Sequence, residues 1–528
     1  MNKKVLVADN IAQEGVDFLK QQPGLDVEFA PGLSPDELKA KVKDADALVV
    51  RSAVKVTSDI LQAAERLTVI GRAGIGVDNI DVDAATERGI VVMNTPDANA
   101  TTAAELALAH ILSLSRHLPR ADASVRAGEW KRAQFVGSEV TGKAIGVVGY
   151  GTIGRIVAAR CLGLQMRVVV YDPFVTRHVF ENDGVESMDL DPMLAAADYV
   201  TIHCPFNDKT RYLFDATRIG RMKKGARLIN CARGGIVDEA ALYEALQSGH
   251  LAGAALDVYE QEPPKESPLF ALPNVVFTPH IGASTAEAQF AVGVEIAKQI
   301  GVFFDTGEVM NAVNLPRIPS ETLRRLRPYQ ELVCRLGRLL SLMLPAPITH
   351  VGLSLHGRAA ELNAQPLTAE AMVGLLGDRL SSPVNRINGL NVAKRQGIQV
   401  SESRSEETHG YLTLVRLTAA SDKERVSLAG TLFDEQHPRL VRINNYEIEA
   451  HLEGHMLFTR HKDQPGVVGA LGAILGEDGV NISRMQLGAE PGTDKAVSLL
   501  DISRPLSAEE LKRLAAIPAI TKVAQISL

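Results

Sequence analysis

Gly149-Tyr-Gly151-Thr-Ile-Gly154 closes a β-branched run and opens a helical one. In that setting the first glycine permits a tight turn and the second lets backbone approach a pyrophosphate. The third lets helix and strand pack closely. The free N–H groups and positive dipole end of the helix then face the phosphates. Asp172 ends the next strand run, where its carboxylate can accept from the adenosine ribose hydroxyls and repel a 2′-phosphate. This favours NAD over NADP, with the nearby Arg177 as the one opposing feature.

In open parallel sheets, ligands bind beyond the carboxyl ends of the strands. Arg233 follows the run at 227–230, Asp257 and Glu262 follow 252–256, and His280 follows 275–278. Earlier in the chain Arg51, Arg72 and Gly74 follow strand runs in the same way, and Asn99 lies just past another. These residue types suit hydride transfer to or from a 2-oxo or 2-hydroxy acid. The hydroxyl loses a proton as hydride leaves the same carbon, and neutral imidazole takes that proton near physiological pH. A carboxylate beside the ring fixes its tautomer and stabilises the imidazolium, the part given to Glu262, with Glu260 as a competitor. A guanidinium at Arg233 offers two-point binding to a carboxylate and polarises the neighbouring carbonyl. Asp257 is placed to orient the nicotinamide amide.

Such residues must be carried by aligned strands, and the chain supplies them. Strand runs at 5–8, 27–29, 47–50, 68–70 and 90–93 alternate with helical stretches at 12–21, 34–43 and 59–64, which argues for a parallel α/β sheet. An apolar helix at 101–117 leads into a second series, with strands at 144–148, 167–171, 199–203, 227–230, 252–256 and 275–278. A helix at 285–304 follows, and Pro316 and Pro319 mark a boundary. Residues 317–345 carry an Arg-rich helical pattern, read either as a solvated face or as an anion or partner contact. Strands dominate from Thr349 to about Glu453, with a helix near 367–380. The last 75 residues read β-α-β-β-α-β, the ferredoxin-like order.

With 528 residues, about three or four domains are expected. A chain that is 46% hydrophobic and 23% charged is neither disordered nor fibrous. A formal charge of −7 speaks against a chain-wide nucleic-acid or membrane-surface role. Cys161, Cys204, Cys231 and Cys334 lie far apart, as reduced thiols do, and suggest neither a disulfide framework nor a metal site. No apolar run reaches membrane-span length, and the first residues run straight into a strand. The expectation is a soluble cytoplasmic protein.

The stretches G-R-A-G-I-G-V-D-N (71–79), G-Y-G-T-I-G (149–154), N-C-A-R-G-G-I-V-D-E (230–239), A-L-D-V-Y-E-Q-E-P (255–263) and T-P-H-I-G-A-S-T-A-E-A (278–288) together resemble the D-isomer-specific 2-hydroxyacid dehydrogenases. The chain as a whole resembles the long-form branch of that family. The resemblance implies an α/β fold in which a Rossmann-type NAD-binding domain (99–284) is inserted in a flavodoxin-like substrate domain (1–98 and 285–316). An α/β intervening domain (317–452) and a ferredoxin-like ACT domain (453–528) would follow. It implies Arg233, Glu262 and His280 as catalytic residues. NAD contacts are implied at Gly149, Gly151, Thr152, Ile153, Gly154, Asp172, Cys204, Cys231, Ala232, Arg233, Asp257, His280, Ile281, Gly282 and Ala283.

For the substrate the resemblance implies D-3-phosphoglycerate, oxidised to 3-phosphooxypyruvate, with Arg51, Ser52, Arg72, Gly74 and Asn99 holding carboxylate and phosphate. Clustered guanidinium groups favour a phosphorylated acid over lactate or glycerate. The tail R-H-K-D-Q-P-G-V-V (460–468) resembles the ACT signature, implying L-serine as an inhibiting effector at His461, Asp463 and Asn481. Trp130 stands where the family places a subunit contact, or else anchors the core; a homotetramer is the implied assembly. Other readings stay open. One is a different D-2-hydroxyacid dehydrogenase; 2-oxoglutarate remains a side substrate even under the main reading. The other is a nucleotide-sensing binding protein like the dehydrogenase-related corepressors.

Overall fold

The computed structural model describes residues 2–316, 318, 320–490 and 492–528, with the side chains of Arg177 and Ser320 left aside. Pro319, the proposed start of the third unit at Arg317 and the Arg177 side chain thus lie outside the described residues.

Strands β1 (Lys3–Val7), β2 (Leu25–Phe29), β3 (Ala47–Val50), β4 (Val69–Arg72) and β5 (Val91–Met93) form a parallel sheet in the order β2-β1-β3-β4-β5. This is the flavodoxin-like order. Its central strands read as unbroken apolar runs because both faces are covered; Val5, Leu6, Val7 and Ala47–Val50 are fully buried. The second sheet holds β6 (Ala144–Val148), β7 (Arg167–Tyr171), β8 (Glu186–Ser187), β9 (Tyr199–Ile202), β10 (Arg227–Asn230), β11 (Gly253–Leu256) and β12 (Val275–Phe277). Its order, β12-β11-β10-β9-β6-β7-β8, is that of a dinucleotide-binding sheet with one added edge strand.

Register brings the functional positions level. Val148 pairs with Ile202, Ile202 with Asn230, Asn230 with Leu256, and Leu256 with Phe277. Gly149, His203, Cys231, Asp257 and Thr278 therefore leave the sheet along one edge. In the first sheet, Val50 pairs with Arg72, so Arg51 and Arg72 emerge side by side. The Ala100–Arg116 helix buries Ala104, Ala107 and Ile111 against the second sheet. The Ala286–Thr306 helix, capped by the Thr285 hydroxyl, returns to the first sheet through Val292, Ile296, Ala297 and Ile300. The chain thus crosses between the two units twice, at either edge of one crevice.

A third, mixed sheet contains β13 (His350–Gly357), β14 (Gln399–Ser405), β15 (Thr413–Ala420), β16 (Arg425–Phe433), β17 (His437–Ile443) and β18 (Tyr446–His451), ordered β14-β13-β15-β16-β17-β18. The Ser320–Met343 and Ala364–Leu376 helices cover one face. The fourth sheet has β19 (His455–Lys462), β20 (Ile482–Ala489), β21 (Lys495–Ile502) and β22 (Ile520–Ser527) in the antiparallel order β20-β21-β19-β22. With its two helices this is the ferredoxin-like arrangement.

These last two units share one core: Met456, Phe458, Val497 and Leu499 join Leu332, Leu336, Leu339 and Leu340 in a single buried cluster. Arg335 of the Arg-rich helix donates to the Leu452 carbonyl at 2.6 Å, and Lys522 donates to the Met343 carbonyl at 2.6 Å. That helix is therefore an internal brace and not simply a solvated face. The intervening unit also grips the first one. Asn385 donates to the Gly89 carbonyl at 2.7 Å, and buried Asn388 reaches the Glu87 carbonyl at 3.4 Å, at the end of the Val82–Glu87 helix. Trp130 is 77% exposed, so it does not anchor this chain's core. Among the described residues no helix is long and apolar enough to cross a membrane.

Candidate active site

His280 lies at φ +53°, a left-handed conformation that costs a non-glycine residue about 1–3 kcal/mol and persists only where surroundings enforce it. Asp257 enforces it. Its buried carboxylate accepts from the Thr278 hydroxyl at 2.6 Å, the Ile281 N–H at 2.8 Å and the Gly282 N–H at 2.9 Å. Both oxygens expected to orient a nicotinamide amide are thus engaged in building the turn that carries the imidazole. Behind Thr278, buried His110 contacts the same hydroxyl at 3.0 Å.

The turn sets His280 Nδ1 2.6 Å from Glu262 Oε2, while Glu262 Oε1 accepts from the Tyr259 N–H at 3.1 Å. The hydrogen bond to Glu262 holds the imidazole above its ordinary range, against the opposing effect of burial. Burial alone would raise the Glu262 carboxyl, but the hydrogen bond and charge of His280 leave it lowered. Glu260 is turned elsewhere: it accepts from the Glu239 N–H at 3.0 Å and faces the Tyr212 hydroxyl at 3.4 Å. With Nδ1 committed to Glu262, Nε2 is the nitrogen left for a reacting proton.

Arg233 stands beyond β10 on a loop that Asn230 ties down, donating to the Arg233 carbonyl at 2.9 Å and accepting from the Ala232 N–H at 3.1 Å. Its guanidinium crosses to the first unit, where Nε donates to Asp78 at 2.9 Å. Arg72 folds over Gly74, whose φ of +140° and missing Cβ leave room for the guanidinium. Burial, then the neighbouring charge of Arg233, brings Arg72 down to about 10, with Arg51 adding to the repulsion. Arg51 is held by its backbone: its N–H donates to Asp9 at 2.9 Å and its carbonyl accepts from Asn79 at 2.7 Å. Asp9 also accepts from the Ala53 and Val54 N–H groups, so one buried carboxylate shapes the loop around exposed Ser52. Arg72 Nε and Asn99 Oδ1 are both buried without a partner.

The dinucleotide loop tests directly for its expected occupant. A Cβ on Gly149 would lie 2.7 Å from the Cys204 nitrogen, and one on Gly154 would lie 2.1 Å from the Gly149 oxygen. Both glycines are required by the protein itself. Gly151 is not: its φ is −76° and a Cβ there would meet no protein atom within 4 Å. The space it keeps open lies over the start of the Thr152–Gly163 helix, where a pyrophosphate would sit, so these residues fit NAD. Asp172 accepts from the Tyr150 N–H at 2.8 Å and the Phe174 N–H at 2.9 Å, which fixes its carboxylate at the end of β7. The Thr152 hydroxyl donates to Asp97 at 3.0 Å, a second link between the units. Ile153, Cys204, Cys231, Ala232 and Ala283 are half-buried along this edge, and burial keeps the Cys204 thiol neutral, pushed up to about 11.

The effector candidates lie apart from this crevice, in the fourth unit. Asp463 and Asn481 are exposed beside the Val467–Glu477 helix. His461 is buried instead, its Nε2 2.7 Å from the Ser498 hydroxyl within the sheet, so it does not face an effector. Asp9, Asp78, Asn79 and Asp97 escaped the sequence reading. The G-R-A-G-I-G-V-D-N stretch that contains two of them was the available signal.

Comparison with known proteins follows the same division. The family described as D-isomer specific 2-hydroxyacid dehydrogenase, NAD binding domain, matches residues 108–282. The D-3-phosphoglycerate dehydrogenase intervening domain matches residues 325–444. The D-3-phosphoglycerate dehydrogenase of Methanocaldococcus jannaschii is 41% identical over 99% of this chain and 100% of its own length. That of Bacillus subtilis is 39% identical over 99% of both chains. Among solved structures, a Thermus thermophilus protein superposes with a TM-score of 0.54 at 36% identity, covering 59% of this chain and 99% of its own. D-lactate dehydrogenase from Aquifex aeolicus, solved with NAD and lactic acid, gives 0.53 at 28% identity, covering 60% of this chain and 100% of its own.

Proposed function

This chain belongs to the D-3-phosphoglycerate dehydrogenase family and is an NAD-dependent oxidoreductase, and from that membership we propose that it oxidises D-3-phosphoglycerate to 3-phosphooxypyruvate, opening phosphorylated L-serine synthesis. The observation that carries the reading is the His280–Glu262 contact of 2.6 Å beside Arg233, whose guanidinium charge is in turn felt by Arg72. NAD supplies the hydride acceptor. His280 Nε2 takes the proton of the C2 hydroxyl, and Glu262 stabilises the imidazolium that results. Arg233 binds the substrate carboxylate and stabilises charge at the adjacent oxygen. The return reaction uses the same groups, with His280 entering protonated.

Arg51 and Arg72, with Ser52, Gly74 and Asn99, receive the phosphate, which carries close to two negative charges at neutral pH. The unpartnered Arg72 Nε supports this assignment, since a buried N–H donor without a partner is costly and an incoming phosphate oxygen would accept from it. The units divide as 1–98 with 285–316, 99–284, 317–452 and 453–528. L-serine binds between paired C-terminal units, its ammonium on Asp463 and its carboxylate near Asn481, and lowers activity in a cytoplasmic homotetramer. Slow reduction of 2-oxoglutarate accompanies the main reaction.

The test follows NADH consumption with 3-phosphooxypyruvate, hydroxypyruvate, pyruvate and 2-oxoglutarate, each with and without L-serine. Preference for the phosphorylated acid, suppressed by serine, is the expected outcome. Preference for an unphosphorylated acid would remove Arg51 and Arg72 from their role. No turnover on any of the four would overturn the reading.

A further inference from the structure

Arg233 is a guanidinium that the second sheet brings to the crevice, and it extends into ground already held by positive charge. Arg72, at the end of β4, lies close enough for the two guanidinium charges to repel, and Arg51 adds to the positive charge acting on Arg72. Something has to hold Arg233 there and aim it. Its Nη1 donates to the Ala232 carbonyl at 2.7 Å, within its own loop. Its Nε donates at 2.9 Å to Asp78, which belongs to the other unit and whose side chain is 65% exposed. Gly76 completes the seat: a Cβ there would lie 1.8 Å from Arg233 Nη2 and 2.8 Å from Asp78 Oδ2.

We propose that Asp78 is a positioning residue for substrate recognition: by taking Nε across the crevice it turns the Nη1–Nη2 end of Arg233 towards the substrate carboxylate. The assignment deepens the function proposed above and rests on Arg233 receiving that carboxylate. Two opposed effects of Asp78 have to be weighed. Its hydrogen bond orients the guanidinium, while its negative charge repels an incoming anion. Because the carboxylate is largely exposed, solvent screens the repulsion, whereas the geometric constraint is unaffected by screening. Orientation therefore wins, and it requires an acceptor at Oδ2 and not a charge.

That distinction gives the test. Oxalate, which pairs a carboxylate with an adjacent carbonyl oxygen as a 2-oxo acid does, is titrated calorimetrically into the full-length chain saturated with NADH. Asp78→Asn keeps an acceptor and drops the charge, so its oxalate Kd should be equal to or tighter than that of the unaltered chain. Asp78→Ala should weaken Kd by tenfold or more, with KM for 3-phosphooxypyruvate rising in step and KM for NADH unchanged. Gly76→Ala, which keeps the Asp78 carboxylate but drives a methyl group into the guanidinium and against Oδ2, should behave like Asp78→Ala. Equal affinity in all forms would overturn the proposal. So would tighter binding in both Asp78 variants, the mark of an acid that merely fills the anion site, or equal weakening in both. If the unaltered chain turned over no 2-oxo acid, the function would fall while the oxalate series still decided the role of Asp78. A flat oxalate series in an active dehydrogenase would sink this assignment alone.

Discussion

The proton transfer proposed for His280 rests on a ring held by Glu262 and a backbone turn held by Asp257. His280→Ala removes acceptor and aim together, and kcat should fall by ~10²–10⁴-fold with little change in KM for NADH. Glu262→Gln asks a finer question. The imidazole lies above its ordinary value chiefly through the hydrogen bond to Glu262, and oxidation needs it neutral, so the acid limb of the oxidation profile lies above the range of a free imidazole. Without the carboxylate that limb should move to lower pH; in the reductive direction, where protonated imidazole is required, activity should fall off at lower pH than before. A profile of kcat/KM against pH in both directions checks the sign. His280, Glu262 and Arg233 were legible in the sequence because each follows a strand of a recognisable sheet. Asp9 and Asp78 were not. A lone acid reveals its partner only when distant segments meet, as when Asp78 reaches Arg233 155 residues later.

The dinucleotide loop separates glycines that the fold needs from one that the ligand needs. Gly151→Ala places a methyl group in open space at a backbone conformation alanine adopts freely, so Tm should stay unchanged while KM for NADH rises at least tenfold, about 1.4 kcal/mol. Gly154→Ala instead drives a Cβ onto a backbone oxygen and should lower Tm, read by thermal melting. Among the elements, every strand of the two parallel sheets except β8 was legible because buried strands keep continuous apolar runs; β6, β7 and β10 match their expected bounds residue for residue. The short helices Val82–Glu87 and Gly389–Arg395 and the two-residue β8 were missed, because one or two turns carry too little periodicity to stand out.

At the scale of the molecule, the sequence announced the β-α-β-β-α-β order of the last unit but not what covers its sheet. Alternation says that a face is apolar, not which neighbour it meets, and Met456 and Phe458 turn out to complete the core beneath the Ser320–Met343 helix. Asp463→Ala should leave turnover intact, since the side chain is exposed and outside that core, and under the proposed effector role it should relieve inhibition by L-serine. The two asparagines on the first unit allow a separate check. Asn385→Ala combined with Asn388→Ala should speed hydrogen exchange at the amides of residues 82–90 while leaving the second sheet protected.

What those asparagines hold is a strut. The Val82–Glu87 helix is about 9 Å long at ~1.5 Å per residue, gripped at its far end by the outer half of the chain. Its near end begins three residues after Asn79, and Asp78 and Asn79 hold Arg233 and the Arg51 loop. A strut this short bends little, so the grip of Asn385 and Asn388 at one end and the acid that holds Arg233 before the other are separated by a single stiff element.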